Sequence, residues 1–160
     1  MISSRLRVLL ADADMRMRQE VVTCLEQLGH AVMQAHCGAD ALMQCDLDPP
    51  NLLVMDVELG DMEGYEVCSQ LRRHMAFADL PIIMTAQPHD DMTTQYLSQM
   101  VEFAGGDYFL SKPYDTEVLR RLIDTLSPQN GRRTGHARPS FPTRVVWPTS
   151  RVAAADMPLI

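Results

Sequence analysis

Four residues of this chain stand where short apolar runs stop. Asp12 follows Arg7–Ala11 (RVLLA), Asp56 ends the run LLVM, Thr85 closes residues 80–84 (LPIIM), and Lys112 lies just beyond residues 107–110 (DYFL). Two carboxylates brought together attract a small hard cation, and Mg2+ suits a site of one or two carboxylates, a backbone carbonyl and several waters. A lysine adds a charged partner, and a threonine hydroxyl can donate a hydrogen bond. This is equipment for holding a phosphoryl group while one aspartate oxygen attacks it, which is nucleophilic catalysis by a carboxylate. The resulting aspartyl phosphate would bring roughly two negative charges and three acceptor oxygens, able to draw Thr85 and Lys112 inward. Taken singly, Asp56 reads as readily as a helix or turn cap.

The elements that must position these residues are legible from periodicity. Residues 52–55 form an unbroken apolar run, the pattern of a strand buried on both faces of a parallel sheet, and RVLLA repeats it. From Met15, apolar residues Met17, Val21, Leu25 and Leu28 recur at spacings of three and four, and Gly29 sits where a helix C-cap belongs. Residues 31–35 read as a second strand, 39–45 as a short helix, and Asp48-Pro49-Pro50 as a break. Beyond the acidic turn, residues 65–75 make an amphipathic helix with Val67, Leu71 and Met75 on one face and Arg72 and Arg73 on another. A fourth strand leads to Thr85, a helix within residues 89–104 ends at Gly105-Gly106, and a fifth strand leads to Lys112. Asp115 then caps a last helix with Val118, Leu119, Leu122, Ile123 and Leu126 on its buried face. Five strands alternating with five helices predict an α/β fold, a doubly wound five-stranded parallel sheet with helices on both faces. In such a sheet Asp12, Asp56, Thr85 and Lys112 share the carboxyl edge, where ligands collect.

Composition narrows the function. The chain has 160 residues, 46% hydrophobic, enough for one ordinary domain with a real core. No run of 18 apolar residues suggests a membrane span, and the N-terminus meets charge too soon for a secretory signal, so a cytoplasmic location is expected. Cys24, Cys37, Cys45 and Cys68 lack close metal-ligand spacing and read as reduced thiols. The net charge of −7 hides an asymmetry: residues 128–160 carry five arginines against Asp156 alone, which leaves residues 1–127 strongly acidic. An acidic body argues against nucleic-acid binding by the folded part.

The motifs RVLLADAD, LLVMDVELGDMEG, PIIMTA and AGGDYFLSKP, in that order, resemble the receiver domain of two-component response regulators. The resemblance covers about residues 5 to 127. It implies Asp12 as a Mg2+ carboxylate, Asp56 as the phosphoacceptor and a metal ligand, and Glu58 as a backbone carbonyl ligand whose own carboxylate is a further candidate. Thr85 becomes the switch hydroxyl, Lys112 the phosphate ligand before a cis proline, and Phe109 the switch aromatic, one without the hydroxyl a tyrosine would offer. The phosphoryl donor implied is a histidine kinase or a histidine phosphotransfer protein, and the output is altered affinity for an unidentified downstream protein. With no recognisable DNA-binding or catalytic module, the chain is read as a stand-alone receiver, a phosphoacceptor rather than an enzyme. The alternative is a pseudo-receiver that keeps the fold as a docking module and works without phosphate.

Three departures bear on that choice. Ala13 stands where the family's first motif usually has a second acid, a direct Mg2+ ligand, and Asp14 is one residue out of phase with it. Weakened Mg2+ binding is therefore expected. More residues separate Thr85 from Lys112 than the family usually has, which must lengthen the fourth helix or the loop before it. Gly60 replaces a usual proline. Of the scattered histidines, His30, His36, His74, His89 and His136, none has ligand spacing, and surface or cap roles suffice. Met17, Met55, Met75 and Met84 read as core filling.

From Ser127 the composition shifts to a Pro/Arg-rich tail, and residues 128–160 are expected to be disordered for want of apolar surface. Within it Phe141, Val145, Val146 and Trp147 form a proline-flanked apolar patch. Two uses are open: a short docking motif, or a fold-back onto the acidic body through Arg132, Arg133 and Arg138.

Overall fold

A computed structural model describes residues 5–89, 93–126 and 144–146. Strands β1 (Arg7–Ala11), β2 (Ala31–Ala35), β3 (Leu52–Asp56), β4 (Ile82–Ala86) and β5 (Tyr108–Ser111) alternate with helices α1 (Met15–Gln27), α2 (Gly38–Leu47), α3 (Gly64–Arg73), α4 (Thr94–Ala104) and α5 (Thr116–Leu126). All the strands pair in parallel, in the order β2-β1-β3-β4-β5, and the doubly wound sheet is the one the periodicity predicts. A sixth strand, β6 (Arg144–Val146), extends the sheet beyond β5. It falls in the segment read as disordered, most of which lies outside the described residues. Three residues are too few for a periodic pattern to announce a strand.

Two cores flank the sheet. On one face Ala41 and Cys45 of α2, Val67, Cys68 and Leu71 of α3, and Leu97, Val101 and Ala104 of α4 pack on Leu9, Leu53, Met55, Met84 and Phe109. On the other, Val21, Val22 and Leu25 of α1 meet Leu119, Leu122 and Ile123 of α5 over Val8, Leu10, Val54, Ile83 and Leu110. β3 and β4 are buried at every position, which is why their sequences do not alternate.

The structure corrects several details. Helix α3 stops at Arg73 and a 3-10 turn, Met75–Phe77, follows it, so Met75 is 95% exposed and Phe77 takes the buried place. Arg72 is no surface residue. Its guanidinium donates to the carbonyls of Gly105 (2.9 Å), Phe77 (2.8 Å) and Leu80 (2.8 Å) and to Asp107 Oδ2 (3.0 Å), tying the end of α3 to the entries of β4 and β5. His30 is buried, and its Nδ1 accepts the Leu6 backbone N–H at 3.3 Å. Helix α4 begins only at Thr94, capped by Thr93.

Candidate functional site

The winding reverses between β1 and β3. From β1 the chain crosses to β2 on one side and then returns to β3 on the other, so the loops after β1 and β3 diverge and leave a crevice at the carboxyl edge. Asp12 follows β1 and Asp56 ends β3, which places both carboxylates at that crevice, each less than a tenth exposed. Thr85 is the register partner of Asp56 on the neighbouring strand and is equally buried. Lys112 comes from two strands further, just past β5, and reaches back over β4.

Lys112 Nζ joins the two acids. It donates to Asp12 Oδ2 at 2.9 Å and forms a short bond to Asp56 Oδ2, with its side chain 10% exposed. The other oxygen of each carboxylate serves the backbone: Asp12 Oδ1 accepts the Asp14 N–H and Asp56 Oδ1 the Glu58 N–H, both at 2.8 Å. Burial pushes the Asp56 carboxyl above its ordinary range, against the pull of Lys112. Burial acts to discharge Lys112 too, but its bonds to Asp56 and Asp12 overcome that and hold the ammonium above its usual value. The Lys112–Pro113 peptide is cis, as the resemblance implies.

The loop after Asp56 is held close. A Cβ on Gly64 would meet the Asp56 carbonyl oxygen at 2.4 Å, so the start of α3 can approach the acid's backbone only with glycine there. Gly60 has φ +86°, a conformation closed to proline, so this loop takes a path that the usual residue could not follow. Asp61 accepts the N–H groups of Gly38 and Ala39 at 2.7 and 2.9 Å, which joins the loop to the N-terminus of α2 and lowers its carboxyl to about 2.

Asp12, Asp56, Glu58 and Lys112 line a cleft of about 370 Å³ with Ala13, Asp14, Met17, Gln87 and Pro113. Gln87, two beyond Thr85, was not singled out by the sequence, where a lone glutamine in a loop carries no signal. Asp14 does not replace the missing acid: its carboxylate caps α1, accepting from the N–H groups of Arg16 (2.8 Å) and Met17 (3.3 Å). The Glu58 side chain is exposed and its carboxylate meets His89 Nε2 at 3.1 Å, outside the buried pair. His89 thus has a surface role, pairing with an exposed Glu58.

Among the described residues no cluster of three or more His, Cys, Asp or Glu side chains is placed to hold a metal. Asp12 and Asp56 are the carboxylates here that could hold a cation, and Glu58 lines the same cleft. Hard oxygen donors with room for water fit Mg2+, which commonly keeps several waters and takes only one or two carboxylates. Phe109, the expected switch aromatic, is fully buried on the α4 side of the sheet, whereas Tyr108 faces the opposite core and is only partly buried.

The comparisons agree with this fold. Residues 8–124 match the model of the response regulator receiver domain. The chain is 29% identical to protein PilG of Pseudomonas aeruginosa over 121 residues, covering 76% of this chain and 87% of that one. It is 34% identical to the response regulator MprA of Mycobacterium avium over 130 residues, 78% of this chain and 54% of that one. A probable transcriptional regulator, ycf27 of Cyanophora paradoxa, is 33% identical over 75% of this chain and 47% of its own length. The chain thus spans about half the length of those two regulators. In fold it superposes on the chemotaxis response regulator CheY4 of Vibrio cholerae with a TM-score of 0.70 at 24% identity, over 77% of this chain and 99% of that one. A receiver of this family generally binds Mg2+ at its phosphorylation site, and among the described residues no helix is long and apolar enough to cross a membrane. With the two acids, the lysine and the doubly wound sheet in place, the chain belongs to the response regulator receiver domain family.

Proposed function

We propose that this receiver is phosphorylated on Asp56 by a histidine kinase or histidine phosphotransfer protein in the cytoplasm and thereby changes its affinity for a downstream protein. The observation that carries the proposal is the buried bridge from Lys112 to Asp12 and Asp56. A docking scaffold has no need of a desolvated lysine between two carboxylates, whereas a phosphoacceptor needs a fixed positive charge where phosphate oxygens arrive.

An Asp56 Oδ oxygen forms the new bond to phosphorus while the bond from phosphorus to the donor's imidazole nitrogen breaks, and the imidazole leaves with that electron pair and takes up a proton. Lys112 then shifts its ammonium from the carboxylate to the phosphoryl oxygens. Thr85, whose backbone is in register with Asp56, is the hydroxyl proposed to read them, and Phe109 is the side chain proposed to respond. Mg2+, held by Asp12, Asp56 and the Glu58 carbonyl, would neutralise phosphoryl charge. The chain transforms only its own carboxylate and is not otherwise an enzyme.

One observation favours the second reading, a docking module that works without phosphate. Ala13 removes a metal ligand, and Asp14 is committed to capping α1. The test is intact mass after incubation with acetyl phosphate and Mg2+. A base-labile phosphoryl adduct on the native chain, absent from Asp56→Asn, is the expected result. No adduct and no beryllofluoride complex, while a standard receiver forms both, would overturn the phosphoswitch and turn the search to a constitutive binding partner.

A further inference from the structure

The outer edge of β5 is covered by a piece of the chain that the site does not use. Arg144, Val145 and Val146 lie opposite Tyr108, Phe109 and Leu110 in a parallel ladder. Without β6, β5 would end the sheet. An edge strand presents a row of unpaired N–H and C=O groups, a template on which an extended segment from another chain can add. We propose that the β5 edge is a strand-addition site whose resident occupant is this chain's own segment 144–146, so that a protein docking by strand addition on that edge must first displace the tail.

The length of the occupant suits a displaceable one. Three residues make a short ladder, and Pro142 and Pro148 bracket them in the sequence; a proline cannot donate a ladder hydrogen bond, so the pairing has little room to lengthen. Tethering compensates for the short ladder, because residues 127–143 keep the segment near its edge at an effective concentration on the order of millimolar. The arginines of residues 128–160 add attraction to the acidic body, screened by salt.

The edge is also connected to the site. Asp56 is the register partner of Thr85, Thr85 of Leu110, and Leu110 of Val146, one line of backbone partners from the carboxylate to the tail. A shift of β5 on phosphorylation would change the ladder that holds β6. That coupling rests on the proposed phosphoswitch, whereas the docking itself does not.

Hydrogen exchange followed by mass spectrometry on the full, unphosphorylated chain tests the docking. In the double variant Val145→Pro/Val146→Pro, peptides spanning β5 are expected to exchange about tenfold faster than in the native chain, with β1 and β3 unchanged. An excess of a synthetic peptide of residues 140–150 should restore slow exchange to the variant. Equal exchange of β5 in native and variant chains would overturn the proposal. So would β5 protection that grows with protein concentration alongside a dimeric mass in sedimentation, since the occupant would then be a second copy. Because no phosphoryl donor is present, failure of Asp56 to accept phosphate leaves these outcomes readable, and failure of the pairing leaves the phosphoswitch standing.

Discussion

Lys112 Nζ lies 2.9 Å from Asp12 Oδ2, although the two residues belong to strands separated in the sheet by β3 and β4. The lysine balances two buried acids at once, and its loss would leave them facing each other. Lys112→Met is expected to cost about 3 kcal/mol at pH 7. Lowering the pH to 5 should shrink the loss, because without the ammonium Asp56 protonates more readily still. Urea unfolding at the two pH values measures this, and adding Asp12→Asn should recover part of the loss.

Asp56 itself acts against acid denaturation. Its carboxyl is raised by burial, so the folded chain holds that proton to higher pH than the unfolded chain does. Stability from this group is present at low pH and is lost as pH rises through the unfolded value and on to the folded one. Asp56→Asn should therefore unfold at higher urea than the native chain at pH 7, and the difference should narrow at pH 4. A less stable variant at pH 7 would mean that the bond to Lys112 outweighs burial.

Restoring the missing acid should strengthen the cation site. Ala13 is exposed at the rim of the cleft, so Ala13→Asp adds a carboxylate without disturbing packed side chains. The expected gain in Mg2+ affinity is about tenfold, equal to 1.4 kcal/mol. Calorimetric titration of both chains checks it, and an unchanged affinity would show that Asp12, Asp56 and the Glu58 carbonyl do not direct the cation to that rim.

His30 makes the fold acid-sensitive near neutrality. Burial lowers its pKa, and its Nδ1 must stay unprotonated to accept the Leu6 N–H. The unfolded chain takes up the proton first, so stability is full above about 6.5 and falls as pH drops from there through the lowered folded value. His30→Asn keeps an acceptor in nearly the same place and should flatten the decline between pH 7 and 5.5 in thermal unfolding. A decline of the same slope in the variant would assign it to other groups.

Arg72 and its neighbour should separate sharply. Removing the guanidinium in Arg72→Met takes a donor from the carbonyls of Gly105, Phe77, Ala78 and Leu80 and from Asp107, a loss of about 3 kcal/mol, whereas exposed Arg73→Met should stay within about 0.5 kcal/mol. Denaturant midpoints for the two variants decide it.

The sequence by itself determined the sheet, the helices and the edge on which Asp12, Asp56, Thr85 and Lys112 stand. Apolar runs of period one and helical stripes of period 3.6 are properties of neighbouring residues, and a charged residue ending a buried strand is a local signal. The tertiary structure decided everything that depends on distance across the chain. Alternation along α3 could not say that Arg72 turns inward, because its carbonyl partners sit on other elements, nor that the helix ends before Met75. Glu58 looks like a spare metal ligand in one dimension, yet its carboxylate reaches His89, and Asp14, already out of phase with the missing acid, is used up by the N–H groups of α1. Nor could periodicity identify residues 144–146 as a strand. Three residues have no period to read, and their pairing comes from the open hydrogen-bonding edge that β5 offers once the sheet has formed.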